Sequence, residues 1–257
     1  MEYVIVILVA LTASMLTFFS GFGLGTLLTP AFLLFFPLPI AISLTAFVHF
    51  LNNVFKFSII GFHVDKRTLL AFGIPAVIGV VPGVLLLNSL SKLEAIYAYS
   101  IGEGSFSITW LGLLIGILMI IFSLSEFSKT SKLNTNRVFL MSGGLISGFF
   151  GGLSGHQGAL RTSFLIRVGL SKEAFVATGV AIALFVDITR IPMYYSSWMR
   201  DLGTSEWMMV LLAVIPAFMG AWLGKKFLKK TSILFVRRFV GSLLILFGVL
   251  LIFGILG

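Results

Sequence analysis

Two apolar stretches, 3–36 and 138–168, run for more than 30 residues each, and both carry a glycine cluster near the middle. The first reads Gly21-Phe22-Gly23-Leu24-Gly25 and the second Gly151-Gly152-Leu153-Ser154-Gly155. A straight crossing of a bilayer takes about 20 residues, so each stretch is too long for one span. Glycine frees the backbone from the helix, and a freed backbone is tolerated at membrane depth only where it is buried in protein or lines a cavity. The pattern predicts two discontinuous helices, either re-entrant or doubled back on themselves.

Six further apolar stretches, 39–60, 69–88, 105–125, 173–195, 206–224 and 233–256, each have the length of a single span. With 58% hydrophobic and 11% charged residues, the chain departs from a soluble domain, which carries about 25% charged residues. It is also too apolar for a disordered segment. The absence of cysteine excludes thiolate catalysis, iron–sulfur clusters and Cys-ligated zinc. Met1-Glu2-Tyr3 lacks the basic start of a secretory signal and is read as part of the mature protein. The expected class is an all-α polytopic membrane protein.

The chain repeats itself. At an offset of 133, Gly25-Thr26-Leu27-Leu28-Thr29 falls on Gly158-Ala159-Leu160-Arg161-Thr162, and Thr45 falls on Thr178. Ile74-Pro75-Ala76-Val77-Ile78-Gly79 recurs as Ile215-Pro216-Ala217-Phe218-Met219-Gly220, with Gly83 and Gly224 four residues beyond. These last four glycines are expected to be helix-packing surfaces. The repeats are taken as residues 1–125 and 138–257, joined by a polar linker at 126–137. Charge sets their orientation. If both long stretches return to the side they entered from, fourteen of the eighteen basic residues face the cytoplasm. Lys92 and Arg200 then face outside, with Arg161 and Arg190 at membrane depth. The two repeats are therefore expected to be inverted, each a glycine-broken helix followed by three transmembrane helices. The net charge of +9 is then a matter of topology, and no nucleic-acid partner is expected.

Ionisable groups in a span are costly and need a reason. His49, Asn52, Asn53 and Lys56 share one helical face. Ser154, His156, Gln157, Arg161 and Thr162 sit at and after the second glycine break, and Asp187 and Arg190 lie three residues apart in the 173–195 stretch. Half-helix N-termini at the breaks favour an anion, and an arginine fork grips an oxyanion in two places. The expected binding set is Arg161, His156, Gln157, His49, Asn52, Asn53, Arg190, Thr29 and Thr162, around a small, multiply oxygenated anion. Asp187, Thr45 and Thr178 are assigned to coupling or gating, with His49 and His156 as groups able to exchange protons. Each residue has a plainer reading. Asp187 and Arg190 serve equally well as a mutually neutralising pair, Asn52 and Asn53 as interhelical glue, and His49 as a packing histidine. Lys56 and Glu103, near span ends, are expected to snorkel to the interface. The chain carries no metal-binding cluster, and neither a metal nor a cofactor is expected.

Gly152-Leu153-Ser154-Gly155 also has the form found in intramembrane serine proteases, with His49 as an imaginable base. No histidine follows His156 to supply the base where those enzymes place it.

The break Gly21-Phe22-Gly23-Leu24-Gly25-Thr26-Leu27-Leu28-Thr29-Pro30, repeated as Ser154-Gly155-His156-Gln157-Gly158-Ala159-Leu160-Arg161-Thr162, resembles the TauE/SafE family of membrane permeases. So does the doubled Ile-Pro-Ala-x-x-Gly-x-x-x-Gly pattern. The resemblance spans nearly the whole chain and implies export of sulfite or an organosulfonate such as sulfoacetate across the bacterial cytoplasmic membrane. The second break carries His156 and Gln157 where the family often has glycine. The expected function is alternating-access export of such an oxyanion from a site near the membrane midplane. An intramembrane protease using Ser154 and an anion channel are the alternatives. The expected partners are the anion and the bilayer, and homo-oligomerisation stays open.

Overall fold

In the computed structural model, residues 2–20, 23–127, 136–227 and 233–256 are described. They form α1 (Glu2–Ser20), α2 (Gly25–Leu33), α3 (Leu38–Ile60), α4 (Lys66–Leu90), a hairpin of β1 (Tyr97–Ile101) and β2 (Gly104–Ile108), α5 (Trp110–Phe127), α6 (Arg137–Ser154), α7 (Gln157–Leu165), α8 (Lys172–Tyr194), α9 (Thr204–Phe227) and α10 (Ile233–Ile252). Both long apolar stretches are divided as expected, the first into α1 and α2 and the second into α6 and α7. Helix lengths recur in order: 19, 9, 23, 25 and 18 residues, then 18, 9, 23, 24 and 20. Among the described residues, four helical segments are long and apolar enough to cross a membrane: Leu38–His63, Lys66–Leu90, Lys172–Met199 and Thr204–Lys226. Three further apolar helices are shorter.

Local chemistry sets several boundaries. Asp65 caps α4 by accepting the Thr68 N–H at 2.7 Å, and Asn136 caps α6 by accepting that of Phe139 at 2.8 Å. The second break falls at Gly155, which terminates α6 with φ 77° in the left-handed region open to glycine. Gly151 and Gly152, expected to belong to the break, are instead helical residues of α6. Their missing side chains serve helix packing. In the first break Gly23 takes φ 84°, while Gly21 and Phe22 lie outside the described residues. The basic residues Lys129, Lys132, Lys229 and Lys230 also lie outside them.

The stretch expected to be one span over 105–125 begins differently. Residues 105–108 are strand β2, paired antiparallel with β1 from Tyr97↔Ile108 to Ile101↔Gly104, and helix begins only at Trp110. The fold is therefore not purely helical. Alternating aromatic residues (Tyr97, Tyr99, Phe106) and a two-residue loop opening on Gly102, φ 60°, are what a hairpin needs. Glu103, expected to snorkel from a span end, sits exposed in that loop.

Glycine seams hold the helices together. Gly144, Gly148 and Gly152 of α6 lie against the carbonyls of Phe72, Ala76 and Val80 of α4, while Gly79 and Gly83 of α4 lie against Leu145 and Phe149 of α6. On the opposite side Gly220 and Gly224 of α9 lie against Leu11 and Met15 of α1. The four glycines expected to be packing surfaces are in backbone contact with a neighbouring helix, as small residues in membrane helices commonly are.

The same contacts give helix direction. Rising numbers meet rising numbers between α4 and α6 and between α1 and α9, so each pair is parallel. Phe47 meets Trp207 and Phe55 meets Phe218, which makes α3 parallel to α9. By contrast, α3 runs antiparallel to α8: His49 meets Asp187, and Asp65 just beyond α3 meets Thr178. Helix α5 is antiparallel to α10, since Gly112 meets Leu251, Gly116 meets Gly248 and Ser123 meets Gly241. Where α3 and α9 end and α4 and α8 begin, the chain carries Lys66, Arg67, Arg167, Lys172, Lys225 and Lys226. The opposite end carries Lys92 and Arg200.

Candidate functional site

The two helix breaks face each other beside the crossing of α3 and α8. A Cβ placed on Gly25 would lie 3.5 Å from the Gly155 carbonyl, and one on Gly23 would lie 3.3 Å from His49 Nε2 and 3.9 Å from Gly158 Cα. Glycine at 23 thus lets the first break close onto the histidine.

Around this point an ion network is centred on Asp187, which is fully buried. Arg190 donates to Asp187 Oδ1 from Nη2 at 2.8 Å and from Nε at 3.0 Å, and Gln157 Nε2 donates to the same oxygen at 3.3 Å. The other carboxylate oxygen, Oδ2, lies 2.7 Å from His49 Nδ1. Arg190 also ties the network to the hairpin by donating from Nη1 to the Gly151 carbonyl at 2.8 Å. One turn on, the Tyr194 hydroxyl donates to the Gly152 carbonyl at 2.6 Å. Of the two readings of Asp187 and Arg190, the paired one describes their geometry. With its oxygens engaged by named donors, this buried carboxylate satisfies what the low dielectric demands.

Next to the network lies a cleft of about 410 Å³, its mouth included, lined by the ends of α1, α3 and α7 and the start of α8. Its polar lining is Thr17, Asn53, Lys56, Arg161 and Thr162, with no Asp or Glu among the lining residues. Lys56 is 4% exposed and Arg161 6%. Arg161 Nη1 has no hydrogen-bond partner among the described residues. Lys56 Nζ lies 5.6 Å above the Phe18 ring and, with the Asn52 amide in its satisfied orientation, donates to Asn52 at 3.2 Å. Lys56 and Arg161 thus place two buried basic side chains beside the donor-bearing Asn53 and Thr162, with no acidic residue in the lining to pair with them.

Asn53 joins cleft and network. It lines the cleft, and its Nδ2 lies 3.0 Å from His49 Nδ1 and 3.2 Å from Nε2.

The sequence-selected residues divide between these two places and beyond. Arg161, Thr162 and Asn53 reach the cleft, whereas His49, Gln157, Arg190 and Asp187 form the network. Asn52 holds helices together through Ser14, Lys56 and the Ala217 carbonyl. His156 is buried with its ring beside that of Phe122, outside the cleft lining, and neither ring nitrogen has a partner among the described residues. Thr29 and Thr45 are buried and their hydroxyls have no partner among the described residues, and Thr178 accepts the Asp65 N–H at 2.9 Å, anchoring the turn into α4. Lys56 corrects the snorkelling expectation: it points into the protein on the face it shares with His49 and Asn53. That shared face was the sequence signal, and proximity to a span end obscured it. Tyr194 gave no signal, because a tyrosine near a helix end ordinarily marks the interface.

Ser154 is fully buried and its hydroxyl donates to the Phe150 carbonyl at 2.9 Å, as a helix-internal serine does. His49, its imagined base, is engaged by Asp187. Among the described residues no three His, Asp or Glu converge as a metal set.

Comparison with curated proteins gave no match. Residues 6–251 of the 257 match the family described as sulfite exporter TauE/SafE, and the chain belongs to that family of multi-pass membrane transporters.

Proposed function

We propose that the protein is a carrier that exports a small oxyanion, sulfite or an organosulfonate of the sulfoacetate kind, across the bacterial cytoplasmic membrane. The observation that carries this reading is the cleft in which Lys56 and Arg161 are buried without a carboxylate among the lining residues. Family membership supports the sulfur oxyanion. Arg161 and Lys56 bind the anion, Asn53 and Thr162 orient it, and the breaks bring the N-termini of α2 and α7 toward the same region. The cleft is lined by the ends of α3 and α7 and the start of α8, on the half of the bundle whose helix ends carry Lys66, Arg67, Arg167 and Lys172, the end that the positive-inside rule assigns to the cytoplasm. This conformation is therefore the one that loads substrate from inside the cell.

Alternating access is read from the repeat. Units 1–125 and 138–257 carry the same order of helix lengths, and α1 and α6, α3 and α8, α4 and α9, and α5 and α10 run in opposite senses. Units related in this way exchange conformations by rocking about a central site. The test uses purified protein in proteoliposomes, with counterflow of sulfite and sulfoacetate measured for the native chain, Arg161→Ala and Lys56→Met. The native chain exchanges at least one of the two anions, and both variants lose exchange while remaining folded. Native-level exchange by Arg161→Ala removes the cleft as the site, and conductance far above carrier turnover makes the protein a channel.

A further inference from the structure

We propose that His49 is a proton-binding site linked to the anion cleft through Asn53, so that the protein takes up a proton as it binds its anion. This rests on the reading of the cleft as an anion site and adds the coupling ion, which that reading leaves open.

The geometry supplies a proton site with one ionisable position left to change. Asp187 and Arg190 cancel each other's charge at 2.8 Å. His49 Nδ1 faces the remaining oxygen of Asp187 at 2.7 Å, so in the neutral ring Nδ1 carries the hydrogen and donates it to the carboxylate. Nε2 is then the atom that accepts a proton. Its neighbours are the Asn53 amide nitrogen at 3.2 Å and the backbone of Gly23, which brings no charge. The charged groups around His49 are Asp187 and Arg190 from α8, Arg161 from α7 and Lys56 from its own helix.

Asn53 is the element with two arrangements. Its Nδ2 lies 3.0 Å from Nδ1 and 3.2 Å from Nε2, and with the Nδ1 hydrogen given to Asp187 it is Nε2 that has the lone pair to accept from the NH₂. Once Nε2 carries a proton, two donors would face each other, and the amide satisfies both sides only by turning its oxygen to the ring. The amide lines the cleft, and in the proposal its rotated NH₂ is the donor offered to an anion bound there. Charge acts in the same sense. An anion between Lys56 and Arg161 offsets the repulsion these cations exert on an imidazolium, and the imidazolium in turn draws the anion. Linkage requires the two effects to be equal. The proton comes from the solution that delivers the anion, rests on Nε2 and leaves when the anion leaves.

The experiment measures anion binding by titration calorimetry on the full chain in detergent, in two buffers of different ionisation enthalpy, from pH 6 to pH 8.5. Sulfoacetate and sulfate are the probes, because neither changes its own charge over this range, as sulfite does. The expected result is uptake of up to about one proton per anion bound. Affinity for the anion falls by as much as about tenfold per pH unit where the linked proton titrates. In His49→Gln, whose amide can still donate to Asp187, the anion binds with no proton uptake and with a pH-independent Kd. A second readout needs no variant. The chain has three histidines, and in the ¹⁵N spectrum of the labelled native protein one imidazole shifts toward its protonated form when sulfoacetate is added at constant pH. Binding without proton uptake overturns the proposal and leaves the anion site standing, as does uptake that persists in His49→Gln. Failure of both anions to bind at every pH overturns both readings.

Discussion

Replacing Arg190 by methionine tests how the second hairpin is held. The guanidinium makes three buried hydrogen bonds: two to Asp187 Oδ1, at 2.8 and 3.0 Å, and one to the Gly151 carbonyl at 2.8 Å. Methionine keeps the apolar stem and removes all three. Taking one partner from a buried ion pair costs about 3–5 kcal/mol, because the other charge stays buried without its counter-ion. The carbonyl adds little, since the Gly155 N–H still reaches it at 3.2 Å. Gln157 remains as a neutral donor to the carboxylate. His49 also remains, with Nδ1 2.7 Å from the other carboxylate oxygen. The expected loss at pH 8 is therefore about 3–5 kcal/mol. Adding Asp187→Leu removes the stranded charge and returns at least about 2 kcal/mol, which a double-mutant cycle reads as coupling between the two positions. The assay is reversible unfolding in mixed micelles, followed by the fluorescence of the four tryptophans. A loss below about 1 kcal/mol in the single variant, or a double variant no more stable than the single, would refute the claim that this pair neutralises itself and pins the hairpin.

Two further substitutions probe the scaffold. A Cβ on Gly148 would sit 2.6 Å from the carbonyl carbon of Ala76 and 2.8 Å from its Cα, and a helix backbone cannot swing aside. Gly148→Ala thus forces α4 and α6 apart at a cost of about 1–3 kcal/mol or more; Gly179→Ala, which meets only the Arg161 guanidinium at 3.4 Å, leaves unfolding unchanged. Equal stability of the two variants would sink the seam argument. At the head of α4, hydrogen bonds from Thr68 hold the half-buried Asp65 carboxyl below its usual pKa. Asp65→Ala costs about 1 kcal/mol as a lost cap. A carboxyl with a depressed folded pKa stabilises above its unfolded pKa of about 3.9, and that contribution is lost as pH falls through the folded value. The gap between native chain and variant is accordingly constant from pH 6 to 8 and narrows below about pH 4. A gap that persists unchanged at pH 2.5 would show that the carboxylate is not its source.

The membrane class, the two broken helices and the glycine packing surfaces were readable in the chain because each follows from local pattern: apolar length, glycine at a break, glycine repeated along a face. Charge bias along the loops is what required each long stretch to return to the side from which it enters. The hairpin before α5 was also written locally, in alternating aromatics and Gly102, but the apolar content of the stretch hid its period of two. The pairing within the site was not local. Whether Arg190 neutralises Asp187 or meets a ligand depends on where His49, Gln157 and the Gly151 carbonyl arrive from three other segments of the chain. Lys56 is the sharpest case. A lysine near the end of a span reaches water at little cost if its face meets lipid, but this one lies over Phe18 and beside Asn52, on the face that also carries His49 and Asn53. Only the packing of α1, α7 and α8 around that face turns a lysine expected to snorkel into one of two cations at the cleft, since burial belongs to the neighbours a residue meets and not to its place along the chain.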